Sequence, residues 1–478
     1  MNCRNKSPLR KRARASLLLA LAFAGLQAGV STADAAEVQA RKAEDFVQSV
    51  GVGGQFAEGK GPYAANMPAL KDAMRELGVL YYRTSAVGSR AATVADDLYR
   101  SLGMRGVFHV SKWDGKKANG PLMGSAAGVI DVLTANGTAG IFAFEGPNEL
   151  NQGGPSNWPQ LLRNYQKELY TTVRSNPRLQ GILVAAPTLV TNTDNPKPSE
   201  RLGTISDRID IGSMHDYVPD GGATESRFRP SAAMLRANNF GGGPILVTET
   251  GVCTEWKMVK ELSPSQKCVS QKAQAKYLPR NLLDKFEEYP GNKAFIFELL
   301  ERQAPTEGAR EAAAESGGGR RRGESSGGDG WWGWGIIDSN LNRKPAFYAV
   351  RNLISLLKDS GASFEPGALD YTVKGAGKGA GGVRQVLVQK QDGRFYLMLW
   401  QPVRSFDKDS NTDIDPSPAE VTLNLGQPAN LKIYKPTPID GTTPEAALQP
   451  VETHSGVTSV DLRVPDHVMV VEIAPAGK

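Results

Sequence analysis

The sequence predicts an α/β chain: a (β/α)8 barrel with an appended C-terminal antiparallel β-sandwich. Eight short apolar runs, beginning near Ser49, Gly78, Arg105, Gly140, Gly181, Asp210, Pro244 and Lys293, recur at intervals of 27 to 49 residues. Each interval has room for a helix and two loops, and eight such units over about 310 residues suit a closed barrel better than an open sheet. Past Gly361 the period changes to short alternating segments split by Gly, Pro, Asn and Asp, which reads as a sandwich. Two of the apolar runs also end in a polar cluster containing a glutamate, as barrel strands do when they deliver side chains to the C-terminal mouth.

The first 35 residues stand apart. A basic start (Arg4, Lys6, Arg10, Lys11, Arg12, Arg14) leads into an apolar run over 15–26 and then Ala33-Asp34-Ala35, the pattern of a signal peptide with an A-x-A cleavage site. The run is too short for a trusted membrane span. The expectation is a secreted or periplasmic protein with no stable membrane insertion after the signal is removed. These residues carry six cations and one anion, so nearly all of the formal charge of +6 belongs to them. The remainder is almost neutral, which gives no electrostatic argument for a nucleic-acid partner. Cys253 and Cys268 remain after the signal and in an oxidising compartment are expected to form one disulfide, with two free thiols as the alternative. Two cysteines and four scattered histidines argue against a structural zinc site, and no metal or cofactor is expected.

Along the barrel region, 36–360, helical spacing from Val38 leads into a Val- and Gly-rich first strand over 49–56. Helices are predicted over 67–77, 94–102, 126–135, 158–175 and 271–287. The fourth strand is Ile141 to Phe144, stopped by Gly146-Pro147, so Asn148-Glu149 falls just past its end. The seventh is Ile245-Leu246-Val247, closed by Thr248-Glu249-Thr250-Gly251. The eighth ends in Phe297-Glu298-Leu299-Leu300-Glu301 and is followed by 302–330, a low-complexity stretch too polar to pack a core and read as a mobile loop. Then come Trp331, Trp332 and Trp334 and an eighth helix from Lys344 to about Asp359. The region 361–478 is the sandwich, with segments over 383–390, 394–401, 419–425, 429–435, 456–462 and 467–473.

Glu149 and Glu249 would face each other across the mouth. Two carboxylates in one cleft are what glycosidic bond cleavage needs, one donating a proton to the leaving oxygen and one acting as nucleophile or base. A separation near 5 Å would imply retention through a covalent glycosyl-enzyme.

Four motifs, N-E after strand four, T-E-T-G at strand seven, H-D-Y after strand six and G-I-I-D…R-K-P-A-F-Y into helix eight, together resemble the clan A retaining glycoside hydrolases. The likeness covers roughly 38–359 and extends to the appended sandwich. It implies Glu149 as acid/base, Glu249 as nucleophile and Asn148 as the partner of the sugar 2-hydroxyl. It implies that Tyr217 orients the nucleophile, that His215 lines the subsite, and that Arg83 in Y-Y-R-T-S keeps the nucleophile ionised. A drier setting for Glu149 would raise its pKa and keep it protonated. His109 and Trp113 after strand three fit a sugar subsite, and Trp331, Trp332 and Trp334 a stacking platform. Two positions depart from the group's pattern. Pro147 replaces the aromatic residue before N-E, with Glu145 as an alternative acid, and Glu298 and Glu301 stand where many members carry a substrate-contacting tryptophan.

The implied partner is a poly- or oligosaccharide. The alternatives are a non-catalytic glycan-binding protein on a barrel scaffold or a transglycosylase; a metal-dependent hydrolase is disfavoured because the strand ends carry few His and Asp ligands.

Overall fold

The computed structural model describes residues 37–86, 90–110, 112–113, 122–152, 154–190, 197–217, 225–254, 268–302, 333–359, 363–377 and 382–475. The predicted signal segment 1–35, the stretch 303–332 with Trp331 and Trp332, and most of 111–123 lie outside them.

Eight parallel strands form the barrel: β1 (Val50–Gly53), β2 (Tyr81–Ser85), β3 (Arg105–His109), β4 (Ile141–Glu145), β5 (Leu183–Ala185), β6 (Gly212–His215), β7 (Ile245–Thr250) and β8 (Lys293–Ile296). They pair in the order β6-β7-β8-β1-β2-β3-β4-β5. A parallel bridge between Ala185 and Ile211 brings β5 back to β6 and closes the ring. Each strand begins within three residues of the apolar run that predicts it. The interior is filled by small and branched side chains, Val107, Ala143, Ala185, Ile211 and Leu246, with Phe295.

The helices around the barrel are α1 (Met67–Leu77), α2 (Ala91–Leu102), α3 (Ala126–Leu133), α4 (Trp158–Ser175), α5 (Pro198–Leu202), α6 (Glu225–Leu235), α7 (Gln271–Glu288) and α8 (Pro345–Leu357). In α1 the buried positions Leu70, Ala73, Met74 and Leu77 recur with helical spacing, and Gly78 ends the helix in a left-handed conformation. Ser270 caps α7 by accepting a hydrogen bond from Ala273 N. The helical spacing that starts at Val38 is realised only over Ala43–Ser49. The residues before it form two short strands, Glu37–Gln39 and Arg41–Lys42, paired into the C-terminal sheet, so the chain contributes to that sheet before it enters the barrel. No helix among the described residues is long and apolar enough to cross a membrane.

The C-terminal sheet contains β9 (Ala368–Lys374), β10 (Arg384–Gln389), β11 (Phe395–Trp400), β12 (Ala419–Tyr434), β13 (Glu452–Val464) and β14 (Met469–Pro475). The two segments predicted over 419–425 and 429–435 are one strand. Gly426 and Pro428 mark a register shift, not an end: before it β12 pairs with β9, after it with β14. One strand thereby links β9 and β14 within a single continuous sheet. Strand β11 is buried along its whole length because it has two apolar neighbours. Phe395, Leu397 and Leu399 face the sandwich core, whereas Tyr396, Met398 and Trp400 join the core around the barrel.

Candidate active site

The strand period places a polar layer directly above the apolar interior. Two residues beyond Tyr81, Ala143, Ile211 and Leu246 come Arg83, Glu145, Ser213 and Thr248. Glu145 is fully buried, and its oxygens are taken up by Arg83 Nε at 2.9 Å and by the Ser213 and Thr248 hydroxyls at 2.6 Å each. Burial pushes this carboxyl up, but Arg83, His215 and the two hydroxyls outweigh burial and hold it below the usual range. Glu145 is therefore committed to Arg83 and is not placed to serve as the acid.

The next layer lies at the strand ends. Arg83 Nη1 donates to Glu249 Oε1 at 2.5 Å and Nη2 to Asn148 Oδ1 at 2.5 Å, so one guanidinium ties strands β2, β4 and β7 together. Tyr217 donates to Glu249 Oε2 at 2.5 Å. His215 Nδ1 lies 2.6 Å from Glu149 Oε1 and 3.4 Å from Glu249 Oε2. Strict alternation would turn Glu249 away from the axis, since Thr248 already points inward. The register of β7 shifts against both neighbours, between Met214 and His215 on β6 and between Val247 and Thr250 along its own length. This irregularity allows successive side chains, Thr248 and Glu249, to reach the same cluster.

Asp216 points the other way, toward Lys285 on α7 at 2.7 Å, and its N–H donates to Glu249 O. That outward anchor turns His215 and Tyr217 inward. The glycine of T-E-T-G has a steric cause: a Cβ at Gly251 would lie 2.3 Å from Phe297 O and 3.3 Å from the Trp334 ring. Gly146 is required in the same way, because a Cβ there would meet Gln166 Oε1 at 2.3 Å.

Glu149 has φ +47°, in the left-handed region that a glutamate rarely adopts. Its N–H donates to Thr188 O at 3.2 Å, and its carbonyl accepts from Gln152 N at 2.9 Å. Thr188 Oγ1 also donates to Asn148 Oδ1 at 3.4 Å. The supporting contacts from Thr188, Ser213 and Thr248 were not expected from the sequence. Ser213 and Thr248 carried a signal, as inward polar positions in otherwise apolar strands; Thr188, in a loop, carried none.

The expectation that dryness keeps Glu149 protonated is corrected. Burial does push its carboxyl up, but the charge and hydrogen bond of His215, with Arg83 behind, outweigh burial and hold it below the usual range. Burial lowers His215, and Glu249 and Glu149 together more than reverse this. Buried Tyr217, beside Glu249, is pushed well above an ordinary phenol and stays a donor. One oxygen of Glu149, one of Glu249 and a nitrogen of His215 lie within 4.8 Å of one another, a donor set that could also hold a metal ion. The 2.6 Å contact between His215 and Glu149 is nevertheless a direct hydrogen bond, closer than the roughly 3.3 Å expected of two ligands on one tetrahedral ion.

His109 ends β3 in register with Glu145. Trp113 lies in a short strand, Lys112–Trp113, paired with Leu122–Met123, but its side chain is outside the described residues. Trp332 is outside them altogether. Glu298 is fully buried, pushed up to about 7 by burial, and lies 3.3 Å from the Tyr63 hydroxyl and 3.3 Å from Arg302 Nε. Glu301 is tied to Lys344 at 2.6 Å and holds α8 to the end of β8. The expected disulfide, Cys253–Cys268, is formed.

No family model matches the chain, and no curated protein matches it. Solved structures do. The GH39 enzyme from Xanthomonas axonopodis pv. citri is similar at 15% identity, with 92% of this chain and 96% of that chain covered and a TM-score of 0.52. A family 39 glycoside hydrolase from the gut symbiont Bacteroides cellulosilyticus WH2 is similar at 14% identity, with 90% and 82% covered and a TM-score of 0.53. A glucosidase from Croceicoccus marinus is similar at 13% identity, with 92% and 97% covered and a TM-score of 0.56. Coverage of 90% or more of this chain means that the shared fold takes in both the barrel and the appended sheet.

Proposed function

From a barrel fold shared with glycoside hydrolases and a mouth that gathers two glutamates, we propose that the protein is an exported retaining glycoside hydrolase acting on a β-linked poly- or oligosaccharide. The observation that carries this reading is the pair itself. Oxygens of Glu149 and Glu249 lie within 4.8 Å of each other, the short separation used for retention; inversion leaves about 6.5–9.5 Å for a water.

In the first step Glu249 attacks the anomeric carbon while Glu149 delivers a proton to the glycosidic oxygen; the C–O bond breaks, and a glycosyl ester forms on Glu249. In the second step Glu149 removes a proton from water, whose oxygen attacks the same carbon and releases Glu249. Arg83 and Tyr217 hold Glu249 in line, and both stabilise it as the carboxylate that attacks and then leaves. Asn148, fixed by Arg83, is aimed for the hydroxyl next to the reacting carbon. His215 gives the donor step its proton: the Nδ1–Oε1 bond stores it, and an arriving glycosidic oxygen draws it onto Glu149. The N-terminal basic and apolar pattern supports export.

The test is hydrolysis of a panel of neutral and acidic glycans by wild type, Glu249→Gln and Glu149→Gln. Loss of roughly a thousandfold or more in both folded variants is expected. Full activity in either variant removes that residue from the mechanism. A glycan that raises the melting temperature without being cut supports the binding-protein alternative instead.

A further inference from the structure

Glu249 is held by Tyr217, but a single phenol reaching across a cleft mouth has to be held in turn. Tyr217 lies two residues beyond the end of β6. Its ring meets Trp334 at a centroid distance of 4.7 Å and Phe297 at 6.2 Å, both nearly edge-to-face; Phe297 and Trp334 are themselves 6.3 Å apart. Three rings, Tyr217 after β6, Phe297 after β8 and Trp334 in the segment leading to α8, thus form one wall beside the nucleophile.

Trp334 is the best-fixed member. Its carbonyl accepts from Glu298 N at 3.2 Å, and the residues that follow continue the ladder through Ile336 N to Glu298 O at 3.0 Å and Ile337 N to Leu299 O at 2.9 Å. On the preceding side Gly333 O accepts from Thr254 N at 2.7 Å. The indole packs against the buried Cys253–Cys268 bridge, and the absence of a Cβ at Gly251 leaves room for its ring. A line of contacts therefore runs from the disulfide to Trp334, from Trp334 to Tyr217, and from the Tyr217 hydroxyl to Oε2 of Glu249.

We infer that Trp334 is a positioning residue, wedged between the Cys253–Cys268 bridge and the Tyr217 ring so that the phenol stays on the nucleophile. The inference rests on the two-glutamate reading for its kinetic consequence, and on geometry alone for its structural one. The disulfide closes a 15-residue separation two residues beyond Gly251, so opening it releases the backing of Trp334 without touching any group at the reaction centre.

The test compares Trp334→Leu, the conservative Trp334→Phe and the double variant Cys253→Ala/Cys268→Ala. Each is made with Tyr217 and with Tyr217→Phe, and kcat and KM are measured. Trp334→Leu is expected to lower kcat about tenfold with KM within twofold. Trp334→Phe restores most of the rate, and the double cysteine variant lies between the two. With Tyr217→Phe, Trp334→Leu has almost no further effect, the signature of one acting through the other. A rise in KM with kcat unchanged, or an undiminished effect in Tyr217→Phe, overturns the inference and makes Trp334 a direct sugar contact.

Should the wild type cut no glycan, the crystal structure of Trp334→Leu decides the positioning role separately. A Tyr217 hydroxyl displaced from Glu249 supports it, and one still in place refutes it.

Discussion

The joint between α7 and the sandwich and the mouth of the barrel both bury opposite charges, and they are built on different terms. At the joint between α7 and the sandwich, Lys276 Nζ lies 2.9 Å from Asp466 Oδ2 and 3.0 Å from Asp415 Oδ1. Ser405 donates to the same Asp466 oxygen at 2.6 Å, and Arg280 reaches Asp466 O and Val403 O. Burial pushes the Asp466 carboxyl up, but His467, Ser405 and Lys276 far outweigh burial, so it is held well below the usual range. At the barrel mouth three carboxylates, Glu145, Glu149 and Glu249, share one guanidinium and one imidazole, and one of the three sits on a left-handed backbone. The joint answers each charge within the protein and holds two layers together. The mouth answers Glu145 and Glu249 through Arg83, Tyr217 and two hydroxyls but leaves Glu149 on a left-handed backbone with His215 beside it, a strained arrangement of the kind that functional sites use.

Removing the shared cation breaks this contrast most severely. Arg83→Met leaves Glu145 buried with two hydroxyls and without its hydrogen-bonded cation, and is expected to destabilise the fold by about 3–5 kcal/mol while abolishing activity. Denaturant unfolding of Arg83→Met/Glu145→Gln should recover much of that stability and none of the activity, separating Glu145's structural task from the role proposed for Glu249. At the joint, Lys276→Met should destabilise by about 3 kcal/mol, since it removes the lysine cation from buried Asp466, yet leave kcat of the folded fraction unchanged. A proportional loss of kcat there would mean that the joint and the mouth are not separable.

The next effect is pH-dependent. Glu298 is pushed up to about 7 in the fold from an ordinary 4.5, so its contribution is fully present below pH 4.5 and is lost as pH rises through 7. Glu298→Gln, which cannot ionise, should therefore be more stable than wild type at pH 8 by on the order of 2–3 kcal/mol and close to it at pH 4, as read by thermal unfolding across that range. The smallest effect belongs to the pair at the mouth. His215 is raised above its ordinary 6.5, so its contribution is present below that value and is lost as pH rises through the folded one. Glu149 is lowered from 4.5, so its contribution is present above 4.5 and is lost as pH falls through the folded value. The stability difference between wild type and His215→Gln should be largest between pH 4.5 and 6.5 and shrink on either side; a difference that is flat with pH would mean the two groups do not share a proton.

Much of the barrel was legible because apolar runs and helical spacing are local signals. The run at 141–144 and the periodic positions of 158–175 become β4 and α4 with little displacement. Helix α6 was not legible, since Pro230 interrupts its pattern and its burial comes from packing against α7. The sandwich was read as short segments because Gly426 and Pro428 look like a stop, whereas pairing on both sides carries β12 through them. At the mouth, strand ends were enough to nominate Glu149 and Glu249, whereas Arg83, His215 and Tyr217 were nominated only by the resemblance of their motifs to the clan A glycoside hydrolases. What they could not reveal depends on three dimensions: the irregularity that turns Glu249 inward, the layer beneath that claims Glu145, and a histidine from another strand that reverses the direction in which burial pushes Glu149.

The most direct test of the central claim is the anomeric configuration of the first product, followed by proton NMR during hydrolysis of a β-linked substrate. The account predicts that the β anomer appears first and mutarotates later, because two displacements at one carbon restore the starting configuration. Initial release of the α anomer would contradict it, since a single displacement by water has no place between carboxylates this close.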